Sequence, residues 1–239
     1  MCRFNEKLVK KYSPSCMTKF GRIEELQSSM KRQVIPAFQK PTDPTNPNHD
    51  PVYFRSMVIY YCCFLRAQEI TNSFILSFNA QLLLACILIA RSAQEITAWI
   101  YVVRKKLADA LDNSSWRSIN NLFDKFLVGS KIFDVEDHKG RRKKIKPFGS
   151  GEVIAEMRKI IPEWGKDYDF FNEIIHFNHG GQAYYQRLVG DDLMTFDIPK
   201  TLRYDVAEHM LDCITLMLEG VLHEKGFFSS TRFPQRLIK

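Results

Sequence analysis

Between Val52 and Asp112 the chain contains neither proline nor glycine, a stretch of sixty-one residues. That absence excludes turns built on either residue, yet sixty-one residues exceed the length of one globular helix. The spacing therefore predicts a break at Ser77-Phe78-Asn79. It would give two long helices, at about 52–77 and 80–112, packed as an antiparallel hairpin. Strand-like alternation is almost absent elsewhere, so the expected fold is an all-α helical bundle. No CxxC pair and no histidine at zinc spacing accompanies the six cysteines, which excludes a disulfide framework and a zinc ribbon and fits a reducing cytoplasm. The N-terminus has basic residues but no apolar run of signal-peptide length. The longest uninterrupted apolar run, Leu82 to Ala90, is too short to cross a bilayer, so no membrane partner is expected. Glycine-rich phosphate loops, nucleophile elbows and dinucleotide fingerprints are missing too, which disfavours nucleotide-dependent and serine hydrolase chemistry.

At 239 residues with 45% hydrophobic content, the chain is long enough to bury a substantial core. The order read along it is an amphipathic helix at 18–35, with Phe20, Ile23, Leu26 and Met30 at helical spacing, and then a linker carrying five prolines between 36 and 51. Residues 1–51 are thus expected to be an N-terminal helix and linker, and 52–239 the bundle domain. A helix to about Leu127, short helices ending near Pro162 and Asn178, and a long one from about Pro199 to Glu224 complete the expected elements.

The formal charge of +7 is local. Lys139, Arg141, Arg142, Lys143, Lys144 and Lys146 lie in a basic loop expected at 138–150, leaving about +1 for everything else. Asp134, Glu136 and Asp137 immediately precede the run and partly neutralise it. Such a run is a solvated loop, an arm that contacts phosphates or a targeting signal, and the second makes RNA or another nucleic acid a candidate partner. A protein partner, including a second copy through the long hairpin, is the alternative.

The pentapeptide AQEIT occurs twice, at 67–71 and 93–97, each time placing a glutamate in apolar surroundings. Arg66 precedes Glu69 by three residues and Arg91 precedes Glu95 by four, so each pair shares a helix face. Glu69 is expected at a wet edge, whereas Glu95, between LLLACILIA and AWIYVV, is expected at an inward polar site. A second polar stripe runs through YDFFNEIIHFNHGG, where Tyr168, Asn172, Glu173, His176 and His179 follow at steps of three or four. The separation of His176 and His179 is not that of a zinc protease, and Glu173-x-x-His176 has no second copy to complete a di-iron site. No metal or other cofactor is expected.

Together, the helix ending in RSAQE and the later YDFFNEIIH helix resemble a group of uncharacterised bacterial all-helical proteins. Those pair R-S-x-x-E with Y-x-x-(S/N)-x-x-x-H, a resemblance that points to Arg91, Glu95, Tyr168, Asn172 and His176, with Asn172 and His176 each one residue further from Tyr168 than that pattern spaces them. In this chain RSAQE places Glu95 four residues after Arg91, the spacing that R-S-x-x-E has. More distantly the chain resembles the HEPN superfamily, many of whose members are metal-independent ribonucleases in toxin–antitoxin, antiphage or RNA-processing systems. That resemblance implies a helical bundle in which His176 is a base and Arg91 a cation facing phosphate, with Glu95 orienting either. The Arg-x(4–6)-His rule of HEPN nucleases is met only by Arg203 and His209, with Tyr204 where a polar residue often stands. A binding module in which Arg91, Glu95 and His176 merely fix helix register is the competing expectation.

Overall fold

In a computed structural model, the structure describes residues 2–35, 50–113, 116–127, 133–136, 142–145, 147–175, 186–188, 194–196 and 204–231. The fold is an all-α bundle. Its helices are α1 (Glu6–Val9), α2 (Pro14–Lys31), α3 (Pro51–Asn79), α4 (Leu83–Asp112), α5 (Trp116–Leu127), α6 (Ser150–Ile160), α7 (Pro162–Ile175) and α8 (Tyr204–Ser230). Two short antiparallel ladders accompany them, β1 (Phe133–Glu136) with β2 (Arg142–Ile145) and β3 (Gln186–Leu188) with β4 (Met194–Phe196).

Helix starts follow local chemistry. The Ser13 hydroxyl accepts from the Cys16 amide and Pro14 opens α2, where a missing N–H costs nothing. The same device opens α3, where Asp50 accepts from the amides of Val52 and Tyr53 ahead of Pro51. The break between α3 and α4 falls at Ala80-Gln81-Leu82, a few residues beyond the expected position. There Gln81 takes φ 58°, the Leu82 amide donates to the Ser77 carbonyl and the Gln81 amide to that of Phe78. This paired closure ends a helix without glycine or proline, which is why the sequence hides it.

The helix α8 runs through the bundle against α2, α3 and α4, burying Met210, Leu211, Ile214, Met217, Leu218 and Val221. Each fully buried side chain of this size contributes about 1.5–3 kcal/mol. The N-terminal segment belongs to the same core: Phe4, Tyr12 and Phe20 pack with Phe74 and Phe78 of α3. Asn79 ties it down further, accepting from the Asn5 amide and donating to the Arg3 carbonyl. Helix α2 is also fixed to α8 by Lys19–Asp212 and Arg22–Glu219, at 2.8 and 2.9 Å. By length and composition α4 could cross a membrane, but half of its most apolar window is buried inside the bundle.

A smaller core joins α4 to α6 and α7, through Ala98 and Val102 on one side and Val153, Met157, Trp164 and Tyr168 on the other. It positions the polar side chains described next. The most deeply buried charge in the described residues, Glu224 of α8 at 2% exposure, forms an ion pair with Arg104, whose Nε is 2.8 Å from Glu224 Oε2, and Arg104 also lies over the Phe227 ring.

Candidate functional site

Both copies of AQEIT use alanine and threonine in the same way. The Thr71 hydroxyl donates to the Ala67 carbonyl at 2.8 Å and the Thr97 hydroxyl to that of Ala93 at 2.9 Å, so each buried hydroxyl is satisfied within its own helix. The glutamates then diverge, as the sequence led us to expect. Glu69 is exposed and pairs with exposed Arg66 at 3.2 Å. Glu95 and Arg91 are only 29% and 32% exposed, because α7 covers that side of α4.

Tyr168 of α7 is the element that joins them. Arg91 Nη2 donates to the Tyr168 hydroxyl at 2.8 Å, and that hydroxyl donates to Glu95 Oε1 at 3.3 Å. Direct approach of Arg91 Nη2 to Glu95 Oε1 is longer, at 3.6 Å. The guanidinium also lies over the phenol ring, 5.2 Å from its centre, and Trp164 stacks on the same ring at 5.7 Å. Burial, then the Glu95 charge, push the Tyr168 hydroxyl above its ordinary range, while Arg91 opposes them. Held neutral, it can accept from the cation and donate to the carboxylate at once.

The cluster is not fully satisfied internally. Arg91 Nε and Asn172 Oδ1 are buried without a hydrogen-bond partner among the described residues. Asn172 lies one turn beyond Tyr168 on α7. Next to the cluster on α4, Gln94 is buried with its amide beside the Cys213 thiol of α8, whose ionisation is suppressed by that burial. Four of the five residues selected from sequence, Arg91, Glu95, Tyr168 and Asn172, thus fall on the facing helices α4 and α7. The fifth, His176, lies outside the described residues, as does Arg203. His209 instead stands near Asp167 of α7, 3.2 Å from its carboxylate, with Phe170 beside its ring.

The basic segment expected as a loop at 138–150 contains a strand, because its second half pairs with the acidic residues before it. The register sets Asp134 opposite Lys144, Val135 opposite Lys143 and Glu136 opposite Arg142. Opposite charges directly across an antiparallel pair favour that ladder. Lys139, Arg141 and Lys146 lie outside the described residues.

Sequence reading missed a second concentration of positive charge. Lys159 of α6 bonds Glu156 at 2.9 Å, and Glu156 also lies in the field of Lys106 and Lys105 of α4. Lys106 Nζ stands 5.0 Å from the centre of the Phe148 ring. The RKK at 104–106 was visible, but its meeting with α6 depends on a helix crossing that no local pattern encodes. Among the described residues, no three His, Cys, Asp or Glu side chains converge as metal ligands. The chain matches no family model, no curated protein and no solved structure.

Proposed function

We propose that the chain is a nucleic-acid-associated binding module in which Arg91, Tyr168 and Glu95 lock α7 onto α4 and turn over no substrate. The observation that carries this reading is the bridging Tyr168 hydroxyl, which leaves Arg91 neutralised from within the fold. A cation meant for a phosphorane is ordinarily left open to substrate. Support for a nucleic-acid partner comes from the composition of 134–146, where six cations outnumber three carboxylates. The test combines binding and stability. Tyr168→Phe is expected to lower stability by roughly 1 kcal/mol, since it removes the bridging hydroxyl and keeps the ring. Affinity for RNA should not change with it, and wild type should leave RNA intact in excess EDTA.

A second reading is a HEPN-like, metal-independent ribonuclease with His176 as base and Arg91 as the cation. It is favoured by the buried Arg91 Nε and Asn172 Oδ1, polar atoms that cost about 1–3 kcal/mol each when unpaired and are retained at the same helix contact. Cleavage in EDTA by wild type, lost in both Arg91→Ala and His176→Ala, would establish it and overturn the binding-only reading.

A further inference from the structure

Just beyond β2 the chain meets the bundle, where the Phe148 amide donates to the Lys125 carbonyl of α5 at 3.1 Å. Phe148 packs on Phe126, which packs on Trp99 of α4, at centre distances of 5.2 and 5.3 Å. These three rings form a shelf whose outer member, Phe148, is only partly buried and carries Lys106 over its face. Around the shelf stand Lys105 and Lys106 from α4 and Lys159 from α6, with Lys125 exposed on α5. Glu156 is the carboxylate among them, and Asp109 follows one turn along α4. Lys144 is four residues before Phe148, so the two α-carbons are at most about 14 Å apart. The backbone of the basic strand therefore ends within that distance of the shelf.

We propose that this end of the bundle is a docking face for single-stranded nucleic acid, with Lys105, Lys106 and Lys159 on the phosphates and a base stacked on Phe148 in place of Lys106. This deepens, and rests on, the nucleic-acid reading given above. The helical lysines matter more than the strand because the ladder already sets Arg142 and Lys144 opposite Glu136 and Asp134. The chemistry selects a single strand: an aromatic face beside clustered cations matches an unpaired base next to its own phosphates, whereas a duplex keeps its base faces stacked inside. An acidic protein would satisfy the lysines but gain nothing from the ring.

Fluorescence anisotropy of a labelled mixed-sequence oligonucleotide, single-stranded and as a duplex, tests this across roughly 50 to 200 mM salt. The variants are Lys105→Gln/Lys106→Gln/Lys159→Gln together, Lys143→Gln/Lys144→Gln, Phe148→Leu and Glu156→Gln, each checked for an unchanged melting transition. The triple variant should bind the single strand at least about tenfold more weakly and lose about 2 from the log–log salt slope, at about 0.7 per phosphate contact. Phe148→Leu should weaken single-strand binding by roughly fivefold or more, within the range of one base–aromatic stack. Glu156→Gln, which removes a carboxylate from among the lysines, should tighten it. Wild-type binding unaffected by the triple variant but lost in Lys143→Gln/Lys144→Gln would overturn this face and leave the broader reading standing. Preference for the duplex would overturn the single-strand assignment. No binding by wild type at the lowest salt would overturn both.

Discussion

A carboxylate buried as deeply as Glu224 is stable only while its cation stays in place, and the two partners are not equally replaceable. Arg104 is 45% exposed and can return to water if its partner is lost, whereas Glu224, at 2%, cannot. Removing the arginine strands a charge in the core, and His223, whose Nδ1 is 3.4 Å from Glu224 Oε1, is a poor substitute at that distance. We expect Arg104→Ala to cost about 3–5 kcal/mol. Glu224→Gln should cost distinctly less, because the amide keeps an acceptor for Arg104 Nε and carries no charge. Denaturant unfolding of both variants measures the difference, and equal losses would show that the stranded charge adds nothing. The same logic separates the two glutamates of the repeat: Glu69 contributes little because its pair is solvated, while Glu95 is held by the Tyr168 phenol of the facing helix.

At the scale of elements, the junction between α3 and α4 stores a local cost. Gln81 is exposed and left-handed, a conformation that disfavours residues with a Cβ by roughly 1 kcal/mol. Gln81→Gly should therefore raise stability by about 0.5–1 kcal/mol with no other change in the fold, a shift visible in the denaturant midpoint. No gain would mean that the greater freedom of glycine in the unfolded chain cancels the relief. This junction also marks how far the sequence could be read. Long apolar runs with helical spacing revealed α3, α4 and α8, and the facing stripes on α4 and α7 revealed Arg91, Glu95, Tyr168 and Asn172. The exact stop of α3 was hidden because a glutamine does a glycine's work there. The strand at Arg142–Ile145 was hidden because its pattern is charged and lacks alternation, and its pairing with Asp134 and Glu136 is a property of two segments together. Convergence of Lys105, Lys106 and Lys159 was illegible for the same reason: it is created by α6 crossing α4.

For the molecule as a whole, the thiols of the core set an alkaline limit. Burial pushes Cys63 and Cys86 up to about 12, against about 8.5 for a thiol in an unfolded chain. Below pH 8.5 both states keep these protons, so their contribution is intact. As pH rises further the unfolded chain releases them while the folded one retains them, and stability falls until the folded thiols also ionise near pH 12. The expected result is a progressive loss of stability above about pH 8.5, measured by unfolding at fixed temperature, with a shallower slope in Cys63→Ala/Cys86→Ala. An identical slope in the double variant would assign the alkaline loss to other groups, Tyr60 first, since burial holds that phenol well above its ordinary range.

Helix α4 carries both the Arg91–Glu95 pair and the Lys105–Lys106 pair on one uninterrupted rod without proline or glycine. Glu95 and Lys106 are eleven residues apart, which at about 100° per residue returns almost to the same side of the helix, some 16 Å further on. The interval between the clasp and the basic end is thus set by helical pitch and not by any contact made along the way. The packing of Ala98, Ile100, Val102 and Val103 fixes the kind of residue between 96 and 104, and the pitch fixes their number: adding a single residue would turn the lysines by about a quarter of a circle away from α6, whereas adding seven would nearly restore their direction some 10 Å further along the axis.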